Sequence, residues 1–220
     1  MLRVSGVKCR VSCFVTLRNP FEEGLFHHLS PDQFALIQSK KIGIGGAGGL
    51  GSNVAVLLVR TGFRHFEIID KDIIETSNLN RQDYTIDDVG APKVEALRAR
   101  LYSINPAINI KIHQKEWNEK AASGLFEGCH FIVEAFDEAD WKFRFVEFYR
   151  ARFRHVISGS GMAGLLEKSP MTVKRIGNVY VVGDLVTSTS DGHPPMAPRV
   201  SQCAAKMAEI VLDLTLGLSI

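Results

Sequence analysis

The alternation of apolar and polar segments along this chain predicts a repeating order of strands and helices. Five short segments have the composition of strands, four of them centred on apolar residues and the last alternating: residues 41–44, 66–70, 130–135, 155–158 and 108–112. The segments between them have helical periodicity: residues 53–61, 93–103, 120–126 and 141–153. Repeated strand–helix–strand units of this kind predict a parallel sheet with helices on both faces.

The segments before and after this repeat add a first helix, a hairpin and a closing helix. Residues 30–40 predict a helix that Ser30 can cap with its hydroxyl. Two strands around a Gly-Asn turn and one amphipathic helix are predicted near the end of the chain: residues 171–176, 179–182 and 200–216. The expected fold class is α/β, a Rossmann-like doubly wound, mostly parallel sheet with an antiparallel C-terminal part. We expect residues 31–220 to form a single domain, preceded by an extension of uncertain structure at residues 1–30.

Composition and charge narrow the class of protein. The 220 residues are 45% hydrophobic and 23% charged, as in a soluble globular enzyme. The formal net charge is +2, from 26 basic and 24 acidic residues, and no block of like charge stands out. This gives no electrostatic reason to expect a nucleic acid or a membrane as partner. No apolar run is long enough for a signal peptide or a membrane span, so we expect a cytoplasmic protein.

The four cysteines are sparse and irregularly spaced and form no C-x-x-C pair: Cys9, Cys13, Cys129 and Cys203. Such sparse cysteines are typical of reduced thiols in a cytosolic protein. A tetrahedral thiolate site would require distant thiols to converge, so we expect no zinc. Cys203 lies beside two alanines on the last predicted helix, and we expect it to belong to the core.

A glycine-rich loop follows the first strand and opens a helix. Its glycines are Gly46, Gly48, Gly49 and Gly51. Such a loop lets the backbone approach a phosphate, and the helix N-terminus favours an anion. Asp70 ends the next strand, where its carboxylate can accept from ribose hydroxyls. This pattern predicts a nucleotide site, and by itself it favours NAD; the alternative is that the glycines serve close packing only.

Several short motifs, most of them after the glycine loop, carry a resemblance to a known family. In chain order they are the glycine loop at 46–52, Asp70-x-Asp72, and residues 78–82, 90–93, 104–106, 134–137 and 197–200. With these motifs the chain resembles the ThiF/MoeB/HesA group, which is related to ubiquitin-activating enzymes. The resemblance looks closest to the short ThiF proteins, through residues 134–137, 160–164 and 182–184. The paired C-x-x-C zinc motifs of most relatives are missing here.

The resemblance implies an ATP-dependent adenylyltransferase, with residues 31–220 as a ThiF-type adenylation domain. It implies that Mg²⁺ is a cofactor and that the chain forms a homodimer. Its implied partner is a small ThiS-like sulfur-carrier protein of thiamine biosynthesis, whose C-terminal Gly-Gly carboxylate is adenylated. The implied nucleotide-binding residues are Gly46, Gly48, Gly49, Gly51, Asp70, Asp72, Asn78, Arg81, Gln82 and Lys93. The implied catalytic residues are Arg81, Lys93 and Asp137, with Asp137 as the magnesium ligand.

The residue types also suit that chemistry. A carboxylate that attacks the α-phosphorus of ATP brings negative charge toward negative charge, so catalysis depends on positioning and on cations. Arg81 offers a planar fork for phosphate oxygens, and Lys93 offers a point charge. Asp137 can hold magnesium, although it could also cap the next helix. Three neighbouring acids are alternatives to it: Glu134, Glu138 and Asp140.

Several other functions stay open. The acceptor could be a MoaD-like carrier, or a carboxylate on a tRNA-bound threonyl adduct, although the near-neutral charge argues against tRNA. An NAD-dependent dehydrogenase is a further alternative. It would need a proton-relay residue beside a substrate pocket, and none is apparent in the sequence.

Overall fold

A seven-stranded sheet organises the chain in a computed structural model that describes residues 19–120, 122–164, 169–187 and 192–220. The strands are β1 (Lys41–Gly45), β2 (His65–Asp70), β3 (Asn109–Gln114), β4 (Phe131–Glu134), β5 (Val156–Gly159), β6 (Thr172–Ile176) and β7 (Val179–Gly183). The helices are α1 (Pro20–Leu25), α2 (Pro31–Gln38), α3 (Gly49–Arg60), α4 (Lys93–Ile104), α5 (Ala139–Arg150) and α6 (Ala197–Leu216). Cys9, Cys13 and the rest of residues 1–18 lie outside the described residues.

The order of the strands places a switch point in the middle of the sheet. The order is β3-β2-β1-β4-β5-β7-β6, and every neighbouring pair is parallel except β6 and β7. From β1 the chain builds outward through β2 to β3 and then returns to place β4 on the other side of β1. The α/β, Rossmann-like class with an antiparallel C-terminal pair is therefore confirmed. Ligands of such sheets bind where the strand order reverses, at the carboxyl ends of the strands.

Two hydrophobic clusters cover the two faces of the sheet. One contains the buried sides of α2, α3, α4 and α6, and the other contains α5 with Trp117 and Phe126. Successive residues of β4 alternate between them, because side chains of a strand point to opposite faces. Phe131 and Val133 belong to the first cluster and Ile132 to the second.

The helix predicted over residues 120–126 is wrong. The described part of this segment forms turns, and Phe126, Gly124 and Gly128 all have left-handed backbone angles, with φ of 66°, 79° and 73°. The apolar residues that suggested a helix are buried from this irregular backbone instead, with Phe126 fully enclosed. The other predicted helices and strands are present with ends shifted by a few residues.

The first described residues pack onto the sheet domain. Ser30 caps α2 as predicted, and its hydroxyl accepts from Gln33 N at 3.2 Å. In α1, the carboxylate of Glu22 is fully buried and pairs with the guanidinium of Arg64, with Nε at 2.6 Å from Oε1. Asn105 Nδ2 donates to the same carboxylate at 3.1 Å. No helix in the described segments is long and apolar enough to span a membrane.

Candidate functional site

A cavity of about 810 Å³ opens at the carboxyl ends of the central strands. Residues that directly follow four of these strands line it: Gly46, Lys71, Ala135 and Ser160. It therefore lies at the switch point between β1 and β4. Eight of the ten residues expected to bind the nucleotide line it, and so does Asp137. Gly51 and Asn78 do not.

The glycines of the loop serve different purposes. Two of them have no room for a side chain, whereas a third has open space on its cavity side. A Cβ on Gly51 would lie 1.9 Å from Gly46 O, and one on Gly46 would lie 2.7 Å from Ala135 O. These two glycines therefore allow the loop, β4 and α3 to approach each other. A Cβ on Gly48 would meet only Gln82 Nε2, at 3.8 Å, so packing does not require this glycine. Gly48 precedes the first turn of α3, whose N–H groups have no side-chain cap and suit an anion.

Asp70 holds the glycine loop in place through hydrogen bonds to the backbone. Its Oδ2 accepts from Ala47 N at 2.6 Å and its Oδ1 from Asp72 N at 2.8 Å. Burial raises the pKa of this carboxyl, and the two backbone N–H groups oppose that rise. Each oxygen keeps a second lone pair. Asp70 can therefore hold the loop and still accept from a ribose hydroxyl.

Two cations stand on the same side of the cavity as the loop. Lys93, in the first turn of α4, is nearly buried, and its Nζ lies 2.8 Å from Asp72 Oδ2. Arg81 donates from Nη1 to Ser77 O at 3.0 Å and to Asn80 Oδ1 at 2.8 Å. Both side chains thus reach the cavity from anchored positions.

Two residues of the Asn78–Gln82 segment have different roles. The Oδ1 of Asn78 accepts from Glu75 N at 3.2 Å, and its carbonyl accepts from Arg81 N and Gln82 N at 3.1 and 3.0 Å. Asn78 therefore shapes the loop that presents Arg81, and it does not line the cavity. The side chain of Gln82 lines the cavity, and its buried Oε1 has no hydrogen-bond partner among the described residues. A buried amide oxygen without a partner fits a donor on a bound molecule.

The acidic residues at the end of β4 and just after it differ in burial and in contacts. Asp137 is exposed and lines the cavity, and Glu138 lines it as well. Glu134 is fully buried and accepts from Phe136 N, Lys142 Nζ and Ser158 Oγ at 2.7, 3.0 and 2.6 Å. It is therefore a structural acid and no alternative to Asp137. The helix α5 begins after Glu138, so Asp137 does not cap it.

A magnesium ion fits the donors at this site when a nucleotide supplies the others. Among the residues that the structure describes, no three His, Cys, Asp or Glu side chains are close enough to hold a metal ion together. Magnesium in nucleotide sites typically takes one or two carboxylates plus phosphate oxygens. Asp137 can supply such a carboxylate.

The sequence did not identify several residues that line the cavity. Lys71, Lys115 and Lys142 add positive charge, and an aromatic side is formed by Phe136, Trp117 and Trp141. The Trp117 and Trp141 rings meet edge to face at 6.2 Å. Apart from Phe136, which lies within the 134–137 motif, none of these residues belongs to a short motif. Only the sheet topology brings the others to the cavity, so no local pattern could have indicated them.

A buried ion pair supports the far side of the cavity. Asp184 follows β7 and pairs with Arg199 of α6. It also accepts from Val186 N and Thr187 N, both at 2.9 Å. Burial raises the pKa of Asp184, but these donors and Arg199 lower it by a larger amount. The net shift of the pKa is therefore downward. The carboxylate therefore stays ionised and holds the segment that follows it in place. Three residues of that segment line the cavity: Leu185, Val186 and Thr187.

Comparison with known proteins identifies the family of this chain. A model of the ThiF family matches residues 23–199. The chain belongs to the ThiF family. The expected family is thus confirmed, and the matched residues include every predicted site residue.

Two similar curated proteins share part of their length with this ThiF-family chain. The tRNA threonylcarbamoyladenosine dehydratase 2 of Saccharomyces cerevisiae is 32% identical over 167 residues, which cover 74% of this chain and 35% of that protein. The adenylyltransferase and sulfurtransferase UBA4 of the same yeast is 27% identical over 190 residues, which cover 83% of this chain and 43% of that protein. The chain therefore spans less than half the length of either relative.

A solved structure matches the fold over nearly its whole length. The tRNA N6-threonylcarbamoyladenosine dehydratase TcdA of E. coli, solved in complex with ATP, superposes with a TM-score of 0.79. The match covers 89% of this chain and 93% of that one, at 20% sequence identity. It supports the fold of the ThiF-family chain.

Neither cysteine of the described segments lies at the cavity. Cys203 is fully buried in the first hydrophobic cluster, as expected, and its Sγ lies 3.4 Å from Val182 O. Cys129 is half-buried on the other face. Burial raises the pKa of both thiols to about 12, which keeps them protonated and poorly nucleophilic.

Proposed function

We propose that this chain binds ATP in the cavity and adenylates a carboxylate of its substrate. The observation that carries the proposal is the pairing of an open glycine loop with two anchored cations, Arg81 and Lys93, in one cavity that also exposes Asp137. The N–H groups of the glycine loop, Arg81 and Lys93 can all donate hydrogen bonds to phosphate oxygens.

The reaction joins a carboxylate oxygen of the substrate to the α-phosphorus of ATP. The bond from that phosphorus to the bridging oxygen breaks, and pyrophosphate leaves with its electron pair. Arg81 and Lys93 offset the repulsion between the carboxylate and the phosphates by contacting phosphate oxygens. The N–H groups at the start of α3 and the unpartnered Oε1 of Gln82 orient the nucleotide. Asp70 accepts from the ribose.

Asp137, with Glu138 beside it, would hold magnesium at the phosphates. The ion would neutralise negative charge on the phosphate oxygens. Asp72 has a different task, because its carboxylate is already engaged with Lys93. It fixes the ammonium at the cavity.

We propose that the carboxylate belongs to a threonylcarbamoyl group on adenosine in tRNA. The names of the yeast and E. coli relatives support this acceptor over the ThiS-like carrier that the sequence suggested. A dehydration at a carboxylate needs a better leaving group than hydroxide, and AMP is one. An internal nucleophile of the substrate then displaces AMP, which carries away one carboxylate oxygen, so that the substrate has lost one water overall.

A sulfur-carrier protein with a Gly-Gly tail is the second candidate acceptor, because UBA4 is also similar to the chain. Sulfur transfer through a covalent cysteine link would need a reactive thiol. The two described cysteines are buried away from the cavity, with raised pKa values. This favours the tRNA acceptor.

The experiment that separates the two acceptors supplies each in turn with ATP and magnesium. We expect nucleosides digested from threonylcarbamoyl-modified tRNA to lose the mass of one water, with one AMP and one pyrophosphate formed for each. Unchanged tRNA together with AMP formed on a Gly-Gly carrier would overturn the tRNA acceptor and leave adenylation in place.

A further inference from the structure

Five exposed basic residues belong to two chain segments that meet near the β6–β7 hairpin, at the amino end of the parallel strands and away from the cavity. They come from the end of α5, the turn after it, and β6: Arg150, Arg152, Arg154, Lys174 and Arg175. We call these five residues the basic end. The β6–β7 hairpin brings the two segments together, because Asn178 in its turn donates to Arg150 O at 2.8 Å and to Phe153 O at 2.7 Å.

Acidic partners are scarce at the basic end. Arg150 pairs with Glu147 at 3.0 Å, but the other four form no ion pair with any residue in the described segments. Some exposed cations elsewhere are paired with nearby acids, as in Arg98–Glu95, Arg100–Asp83 and Lys206–Glu209. The basic end therefore carries positive charge that the protein itself does not neutralise.

The surroundings of His155 report the same local field. Its ring lies 6.2 Å from the Tyr180 ring, over which the Arg175 guanidinium lies at 5.3 Å. Burial lowers the pKa of His155, and the positive charges of Arg154 and Arg175 lower it further. The potential at this end of the sheet is thus positive.

We propose that the basic end binds the phosphate backbone of the RNA whose reacting nucleotide occupies the cavity. Four of its five cations are arginines, whose planar forks match phosphate oxygens in two-point contacts. The net charge of +2 gave no sign of this surface, since the charges are concentrated only by the fold. The inference rests on the proposed tRNA acceptor.

The two sites are close enough to engage one RNA molecule. Strand β5 connects them, because Arg154 lies just before it and Gly159, at its other end, lines the cavity. Five residues of strand span about 17 Å. That length corresponds to roughly five base pairs of a double helix. An RNA with a loop nucleotide in the cavity would need a stem at least about this long, lying along the side of the protein, to contact the basic end.

The test compares two triple variants with equal change in charge. Arg154→Gln with Lys174→Gln and Arg175→Gln removes three unpaired cations of the basic end. Arg98→Gln with Arg100→Gln and Lys206→Gln removes the same residue types from paired positions elsewhere. Binding of purified tRNA is measured by fluorescence anisotropy across a range of salt concentrations, and ATP binding by calorimetry serves as the check on folding and on the cavity.

We expect the basic-end variant to bind tRNA at least about tenfold more weakly near 0.15 M salt. The slope of log affinity against log salt should become shallower by about 2 to 3, as the loss of three phosphate contacts requires. The control should keep the wild-type slope, and both variants should bind ATP normally. Equal tRNA affinity in the two variants, or no tRNA affinity in the wild type, would overturn the inference.

Two further outcomes separate the basic end from the proposed acceptor and from a membrane. If the basic-end variant alone loses tRNA affinity but wild-type protein never dehydrates modified tRNA, the RNA surface stands and the acceptor is wrong. If that variant keeps its tRNA affinity but no longer sediments with phosphatidylserine vesicles, the basic end is a membrane surface and the inference fails.

Discussion

Single residues at the cavity already hold much of the geometry that nucleotide binding needs. Lys93 is fixed by Asp72 at 2.8 Å, and Arg81 is tied to two oxygens of its own loop. Such anchored cations lose little freedom on binding, which favours tight contact with phosphate. The sequence motifs named these two residues, Asp70 and the glycines, and the structure places all of them except Gly51 at the cavity. They could not predict Lys142 or the orphaned oxygen of Gln82, because those depend on how distant segments pack.

Replacing Lys93 tests whether its charge acts on the phosphates. Lys93→Ala should weaken ATP binding and slow pyrophosphate exchange together, each by at least about tenfold, because the contact exists in both the bound and transition states. It also leaves the Asp72 carboxylate uncompensated beside the phosphates. Adding Asp72→Asn should therefore recover part of the lost affinity. Calorimetry on the single and double variants measures this, and a double variant no better than Lys93→Ala would argue against the contact.

Arg81 is expected to behave like Lys93, and Asp137 differently. Arg81→Ala should lose affinity and rate together. Asp137→Ala should keep metal-free ATP binding, because it removes a negative charge beside the phosphates, yet slow adenylation on the order of a hundredfold, about 3 kcal/mol. Nucleotide titration beside pyrophosphate exchange compares them. If Asp137→Ala exchanges at the wild-type rate, Glu138 becomes the candidate acid.

At the scale of elements, two glycines at the junction of β1 and α3 differ in the space available for a side chain. Gly51→Ala would place a methyl 1.9 Å from Gly46 O, so α3 must move away from β1. We expect it to destabilise the fold by several kcal/mol, as overpacking against rigid backbone does. Gly48→Ala has open space around its Cβ and should leave the melting temperature nearly unchanged while weakening ATP binding. Gly24→Ala, in open space on α1, is the control for both measurements. Normal ATP affinity in Gly48→Ala would contradict the assigned path of the phosphates.

The strands β1, β2 and β3 are also joined by a buried carboxylate, which makes stability depend on pH. Burial raises the pKa of Glu67, but hydrogen bonds from Lys41, His113 and Lys111 lower it to about 2. A depressed pKa adds stability that is present above the ordinary value of 4.5 and lost as pH falls toward 2. Urea unfolding should show a gap between wild type and Glu67→Gln at pH 6, on the order of 3 kcal/mol, that narrows by pH 3. A gap that stays constant would argue against the ion pairs.

The order of the elements was largely predictable from the sequence, because apolar periodicity and glycine punctuation agree over residues 41–104. The failure at residues 120–126 has a physical cause. Its apolar residues serve the second hydrophobic cluster from a chain of turns, with Gly124, Phe126 and Gly128 in left-handed conformations. A short apolar segment does not reveal which of these two backbones buries it.

At the scale of the whole molecule, the fold places the cavity and the basic end at opposite ends of the sheet. The cavity lies at the carboxyl ends of the strands, and the basic end lies at their amino ends. Net charge and local charge runs could not predict this arrangement, since the hairpin joins two segments that are distant in sequence. One face of the molecule would then act on the nucleotide and the other would hold the RNA.

The measurement that most directly tests the central claim is exchange of labelled pyrophosphate into ATP. With wild-type protein, magnesium and threonylcarbamoyl-modified tRNA, we expect label to enter ATP and AMP to accumulate, since the attack is at the α-phosphorus. Omitting the tRNA should stop both, and adding NAD should change neither. Release of ADP and phosphate without any exchange, or tight binding of NAD with no measurable binding of ATP, would contradict the account.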